Sequence, residues 1–183
     1  MEQAAASSMT LPSADEALYE VVDDQIVELT PMGAYQAWLA TILVTYLANF
    51  ARQNALGRVI QETLFDLGPA INRKRRPDAA FVSYARWPRQ QRVPNAEAWN
   101  VVPNLAVEII SPSNTGDAIV DKIAEYFRAG VECVWVVFTS QEQVYVYDSP
   151  TQVRIFSRHD RLPGEPVLPH FQLPLSTLFD EDE

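Results

Sequence analysis

Apolar residues recur with a helical period between residues 35 and 54 of this 183-residue chain. Seven large apolar residues share that spacing: Trp38, Ile42, Tyr46 and Phe50, with Leu39, Leu43 and Leu47 beside them. Such a pattern predicts a mostly buried helix with a broad apolar face. Gly57 follows it as the expected C-terminal stop.

A second helical pattern begins after the turn SPSNTG. Either Asn114 or Thr115 can cap its N-terminus, and Gly130 can end it after Ala129. The apolar stripe of this segment is narrower than that of the first helix: Ile119, Ile123 and Phe127, with Ala124 beside them. The sequence therefore predicts a helix with one face against the core.

The remaining apolar runs are short and bounded by turn residues, which is typical of strands. LYEVV and QIVEL predict an N-terminal hairpin, and QVYVYD and QVRIFS predict a C-terminal one. Between them lie four further predicted strands: RVIQETLFDL, AAFVSY, VVPNLAVEII and the almost wholly apolar VECVWVVF. INRKRR is expected to be a polar approach to the second of these, and residues 86–100 a loop. Only two long helices interrupt these strands, which favours an α/β fold with a central mixed sheet flanked by helices.

Length and composition suit one domain with a real core, since 48% of the residues are hydrophobic. Residues 1–16 are rich in Ala and Ser and are expected to be flexible, with a single domain over 17–183. The lone cysteine, Cys133, lies in an apolar strand and is expected in the core. The chain has neither a membrane-length apolar run nor a secretion signal, so we expect a cytoplasmic protein without a membrane partner.

The net charge of −10 makes the chain as a whole a poor non-specific binder of polyanions. Residues 73–92 depart from this average, because they hold 7 of the 14 basic residues and one acid. Within this segment, Arg73, Arg75 and Arg76 are either solvated loop residues or contacts for a nucleic-acid backbone.

Asp78 and Glu108 are acids at the ends of two apolar strands, where burial disfavours their charged form. Each has an ordinary alternative, as a turn residue after proline or as a strand-end acid facing solvent. Glu108, however, shares its strand face with Ala106 and Ile110, and that face is not polar. Two such carboxylates on strands that can lie side by side suggest a hard divalent cation between them.

Phosphodiester hydrolysis needs such a cation, together with a positive group near the phosphate. The backbone carbonyl of Ile109 can complete the ligands, and Glu62 or Asp66 can add a third carboxylate. Lys122, 14 residues after Glu108 on the second predicted helix, is the nearest candidate for the positive group. Its ordinary alternative is a solvated lysine paired with Glu125.

These residues resemble the PD-(D/E)xK restriction-endonuclease-like superfamily, and more narrowly the bacterial Uma-two family, over nearly the whole chain. The family's lysine is understood to have migrated from the strand to the helix, and Asp78, Glu108 and Lys122 match its positions. Three segments carry the resemblance: RRPDAAFVS, LAVEIISPSNTGDAIVDKIAEYFRAGVECVWVV and VLPHFQLPLSTLF. The chain departs from the family at the first helix, where Tyr35 and Gln36 stand in place of a frequent histidine.

The resemblance implies a restriction-endonuclease-like fold and a Mg²⁺-dependent endonuclease acting on DNA or another nucleic acid, with Mn²⁺ as an alternative ion. Cutting two strands is consistent with a homodimer. Two other functions stay open. One is a catalytically silent binding or assembly protein on a nuclease fold, which the acidic charge supports. The other is hydrolysis of a small phosphorylated or nucleotide substrate.

Overall fold

The computed structural model describes residues 18–110 and 114–181. The predicted flexible segment 1–16 and residues 111–113 of the predicted turn lie outside the described residues. In chain order the elements are β1 (Tyr19–Val22), β2 (Gln25–Glu28), α1 (Ala34–Gln53), β3 (Gly57–Gln61), β4 (Phe65–Asp66), β5 (Arg73–Arg75), β6 (Ala79–Ser83), β7 (Leu105–Ile110), α2 (Gly116–Ala129), β8 (Cys133–Phe138), β9 (Gln143–Ser149), β10 (Gln152–Ser157), β11 (Arg161–Pro163), β12 (Gln172–Pro174) and α3 (Leu175–Phe179).

A six-stranded mixed sheet with the order β10-β9-β8-β7-β6-β3 forms the centre of the fold. Its central pair, β7 and β8, is parallel, and its other neighbouring pairs are antiparallel. On one face the sheet packs with Leu39, Leu43 and Leu47 of α1, and on the other with Ile123 and Tyr126 of α2. The mixed sheet flanked by helices is thereby confirmed.

A smaller four-stranded sheet with the order β2-β1-β5-β4 lies beside the first. The predicted hairpin forms β1 and β2, and β5 pairs with β1 through Val21 and Val22. INRKRR was expected to be a polar approach without a strand, and that expectation is wrong, because Arg73–Arg75 forms β5. The pairing of β1 with β5 therefore brings together residues that lie about 50 positions apart in the chain.

Two other predicted boundaries are wrong. RVIQETLFDL is not one strand, because Glu62 adopts a left-handed φ of 44° and turns the chain from β3 into β4 of the second sheet. Gly57 does not end α1, which stops at Gln53 with a left-handed turn at Ala55. Gly57 starts β3 instead, where a Cβ would come within 2.2 Å of the carbonyl oxygen of Val82.

The second helix follows the prediction closely. The Thr115 hydroxyl accepts a hydrogen bond from the Ala118 N–H, and Gly130 closes α2 with a left-handed φ of 97°. In the first helix, Leu39, Leu43 and Leu47 are among the buried residues. Tyr46, which was predicted to lie on the apolar face, is instead 42% exposed. Cys133 is buried in the core as expected. No helix in the described ranges is long and apolar enough to span a membrane.

Candidate active site

The alternation of side chains along β7 determines where Glu108 lies. Val107 and Ile109 join the core on the α1 side of the sheet, and Ala106 joins the core on the α2 side. Because successive strand residues point to opposite faces, Glu108 lies on the α2 side. Its side chain is only 13% exposed there.

The register of the sheet aligns three acids in one row. Ala80 pairs with Ala106 and Ala79 with Val107, so one further step places Asp78 opposite Glu108. On the other side of β6, the Glu62 N–H donates to the Asp78 carbonyl at 3.2 Å. Directly opposite residues have Cβ atoms about 4.5–5.5 Å apart, so the Asp78 and Glu108 carboxylates can face one shared ligand.

Asp78 is held beside β7 by its own side chain. Its Oδ2 accepts a hydrogen bond from the Ile109 N–H at 2.5 Å. Burial, together with the charge of Glu108, raises the pKa of Asp78 from 3.8 to about 7. A bound cation would stabilise the charged form of a carboxylate whose ionisation burial and a neighbouring acid disfavour in this way.

Glu108 is contacted by two residues of α2 that lie one helical turn apart. The Lys122 ammonium lies 3.0 Å from Glu108 Oε2, and the Tyr126 hydroxyl donates to Oε1 at 2.7 Å. Burial raises the pKa of Glu108, and the neighbouring Glu20 charge adds to that effect. Burial lowers the pKa of Lys122, but Glu108 and Glu20 outweigh it, so its net pKa lies above the ordinary value.

Glu20, on β1, is a site residue that the sequence reasoning missed. Its Oε1 lies 3.0 Å from Lys122 Nζ and accepts from the Arg76 N–H at 2.9 Å, and its Oε2 lies 2.6 Å from Arg75. Burial raises the pKa of Glu20, but Lys122 and Arg75 outweigh it and lower the net value. An acid inside the apolar run LYEVV is the same signal that singled out Glu108.

The basic cluster contributes ion pairs within the protein. Arg73 pairs with Asp23 at 2.5 Å and with Glu125 at 2.8 Å, and Arg75 pairs with Glu20 and Glu125. Glu125 is therefore the partner of two arginines and not of Lys122, so the ordinary alternative for Lys122 is wrong. These pairs connect the four-stranded sheet to α2.

Arg76 is placed differently from its neighbours. Its guanidinium donates to the carbonyl oxygens of Glu62 at 2.6 Å and Tyr19 at 3.3 Å, and it lies over the Tyr19 ring. It also lines the same cavity as Asp78. Of the three arginines predicted to contact nucleic acid, Arg76 is the one on that side of the site.

Asp66 is not brought to this site. Its Oδ1 accepts from the Gly68 N–H at 3.0 Å, as in an aspartate turn, and it lines a separate cavity beside Asn72 and Lys74. Of the two candidates for a third carboxylate, Glu62 is therefore the one beside Asp78.

Two cavities meet at Glu108 and Lys122. One of about 500 Å³ contains Asp78 and Arg76 and extends to the start of α1 at Gly33. The other, of about 720 Å³, runs between α2 and the N-terminal hairpin. Asp78 and Glu108 are thus accessible from a cleft large enough for a small ligand or part of a chain.

The available donors fit a hard divalent cation that keeps some of its water. Asp78 and Glu108 offer carboxylate oxygens and Ile109 a backbone carbonyl, and Mg²⁺ commonly takes one or two carboxylates with waters and phosphate oxygens. Within residues 18–110 and 114–181, no group of three or more His, Cys, Asp or Glu side chains could hold a metal ion. A cation here would therefore depend on Asp78, Glu108, the Ile109 carbonyl and ligands from outside the protein, without Glu62.

Comparison with known proteins places the fold. A family model described as "Putative restriction endonuclease" matches residues 6–176. The crystal structure of a "putative nuclease belonging to DUF820" from Anabaena variabilis ATCC 29413 is similar with a TM-score of 0.76. That match has 17% identity and covers 88% of this chain and 89% of the other. No curated protein matches the chain significantly.

Proposed function

Because the chain belongs to the Uma2 family of "Putative restriction endonuclease" proteins, we propose that it is a metal-dependent endonuclease that hydrolyses phosphodiester bonds in DNA. One observation carries the proposal: Lys122 Nζ lies 3.0 Å from Glu108, and Asp78 lines the same cavity as both residues. Two carboxylates and an ammonium at one strand end are the groups that this reaction requires.

Asp78 and Glu108, with the Ile109 carbonyl, would hold Mg²⁺ or Mn²⁺, and waters and phosphate oxygens would complete its ligands. A divalent cation supplies charge neutralisation at the phosphate and a more acidic bound water. Asp78 keeps its orientation through the Ile109 N–H, so its second oxygen is the one available to a ligand. The Tyr126 hydroxyl fixes Glu108 by donating to its Oε1.

Lys122 would stabilise negative charge on the phosphate and would not accept a proton. The raised pKa of Lys122 keeps its ammonium charged at neutral pH. An ammonium pre-oriented in a largely buried site stabilises a developing charge more strongly than it would in water. The role assigned to Lys122 is therefore electrostatic.

Arg76 is the arginine proposed to contact the DNA backbone, because it lines the cavity that contains Asp78. Arg73 and Arg75 are engaged by Asp23, Glu20 and Glu125, so we assign them a structural role in this proposal. Dimerisation remains a prediction from the need to cut two strands.

The second candidate function is a binding or assembly protein without turnover. It is favoured by one observation: both oxygens of Glu108 already accept hydrogen bonds from within the protein. The net charge of −10 supports it as well, since a partner could supply the positive surface.

Cleavage of supercoiled plasmid DNA tests the two functions against each other. We expect nicking by the wild type in Mg²⁺ or Mn²⁺, none in EDTA, and rates at least ~100-fold lower for Asp78→Asn and Lys122→Met. Asp66→Asn is a matched control, because Asp66 also accepts from a backbone N–H but lies outside the site. Cleavage in EDTA, or full activity of Asp78→Asn, would contradict the proposal. DNA binding that survives EDTA without turnover would support the second function.

A further inference from the structure

Two carboxylates from different sheets share the ammonium of Lys122. Glu108 reaches it from the six-stranded sheet and Glu20 from the four-stranded sheet, each at 3.0 Å. Glu108 is a proposed metal ligand and lines the cavity that contains Asp78, whereas Glu20 lines only the other cavity, between α2 and the N-terminal hairpin. Lys122 thus has one partner that would also bind a cation, Glu108, and one that would not, Glu20.

We propose that Glu20 is a positioning residue that holds Lys122 in the site while Glu108 binds the divalent cation. This inference rests on the proposed metal role of Glu108. It assigns the N-terminal hairpin a part in the reaction, because β1 carries the residue that fixes the catalytic ammonium.

Glu20 is suited to this task because its own position is fixed. It is 2% exposed, and it is bound by the Arg75 guanidinium and the Arg76 N–H besides Lys122. A buried carboxylate with several donors has little freedom, whereas a lysine side chain is flexible and needs such an anchor.

A lysine with Glu108 as its only partner would compete with the cation for the same carboxylate. Glu20 gives the ammonium a second partner within reach, so Lys122 can release Glu108 and still remain beside the phosphate position. Loss of the Glu20 charge should therefore weaken cation binding, and it should do so only while Lys122 is present.

A simpler role for Glu20 is to neutralise Arg75 and hold the two sheets together. A double-mutant cycle separates the roles, because a structural effect would not depend on the charge of Lys122. The variants are Glu20→Gln, Lys122→Met and the two combined. Glu125→Gln is the matched control, since it removes a carboxylate from Arg75 and leaves both Lys122 pairs intact.

The measurement is the dissociation constant for Mn²⁺ by calorimetry, without nucleic acid. We expect Glu20→Gln to weaken binding about tenfold, Lys122→Met to strengthen it, and the double variant to match Lys122→Met. Glu125→Gln should bind as the wild type does. If Glu20→Gln does not fold, Glu20→Asp takes its place, with a smaller loss expected because the shorter carboxylate keeps its charge.

Equal weakening by the Glu20 substitution with and without Lys122, or no weakening at all, would overturn the inference. Absence of Mn²⁺ binding by the wild type would overturn it as well. The expected cycle in a protein that cleaves no DNA would support the positioning role while the proposed function fails. If the wild type cleaves DNA efficiently but the Glu20 and Lys122 substitutions show no coupling in Mn²⁺ binding, this inference fails and the proposed function stands.

Discussion

The six residues of β7 alternate between two faces of the sheet, and these faces differ in chemistry. Toward α1, Leu105, Val107 and Ile109 are buried among apolar side chains. Toward α2, Ala106 continues such a core, and then Glu108 places a carboxylate between Lys122 and Tyr126. The difference shows that one strand can contribute to the core with one face and present a charged site with the other.

Stability alone does not account for the charged face of β7. Taking ions out of water costs several kcal/mol each, and a buried ion pair often stabilises a protein no better than apolar residues of similar volume. We therefore attribute the network around Glu20, Glu108 and Lys122 to function. The α1 face, by contrast, is explained by the burial of apolar surface.

The largest expected effect comes from moving a carboxylate to the apolar face. Val107→Asp puts a charge next to Glu108 in sequence but on the α1 side, where Val107 is fully buried among apolar residues. An unpaired buried charge costs more than about 4–5 kcal/mol, so we expect no cooperative unfolding transition by thermal denaturation monitored with circular dichroism.

Val107→Ala is the control for this substitution, since it removes volume without adding charge and should cost about 2 kcal/mol. A Val107→Asp protein that melts close to the wild type would show that the α1 face tolerates charge. The contrast between the two faces of β7 would then be lost.

A smaller effect, of opposite sign, is expected for Asp78→Asn. The pKa of Asp78 is raised from 3.8 to about 7 by burial and by Glu108, with Glu62 adding to the rise and Lys122 opposing it. Its contribution to stability is therefore present below pH 3.8 and is lost as the pH rises through about 7. Asparagine has no such loss and can still accept from the Ile109 N–H.

Without added metal, Asp78→Asn should therefore melt above the wild type at pH 8, and the gap should close toward pH 4. The difference between 3.8 and about 7 corresponds to roughly 4 kcal/mol as an upper bound. Melting curves of the wild type and of Asp78→Asn between pH 4 and pH 8 measure it. A difference in melting temperature between the two proteins that stays constant across this range would mean that ionisation of Asp78 does not destabilise the fold.

The elements of the fold could be predicted where local chemistry decides them. The helix cap at Asn114 or Thr115, the stop at Gly130 and the hairpins were all predictable from the sequence, as was the strand face that Glu108 shares with Ala106. The break at Glu62 was not, because a left-handed φ at a glutamate is imposed by the crossing from one sheet to the other.

The candidate site was predictable in its residues and only partly in its contacts. Asp78 and Glu108 stood out as acids at strand ends and Lys122 through the family resemblance, and the three line one cavity in the structure. The ion pairs of Arg73 and Arg75 join residues about 50 positions apart, which no local pattern reveals. Glu20 carried a signal of its own, as an acid in an apolar run, but nothing in the sequence placed it beside Lys122.

Calorimetric titration of Mn²⁺ at pH 8, where Asp78 with a pKa of about 7 is ionised, tests the central claim most directly. The account predicts one saturable site in the wild type and in Asp66→Asn, and its loss in Asp78→Asn and Glu108→Gln. Undiminished Mn²⁺ binding by either site variant would contradict the claim that the charged face of β7 is a cation site.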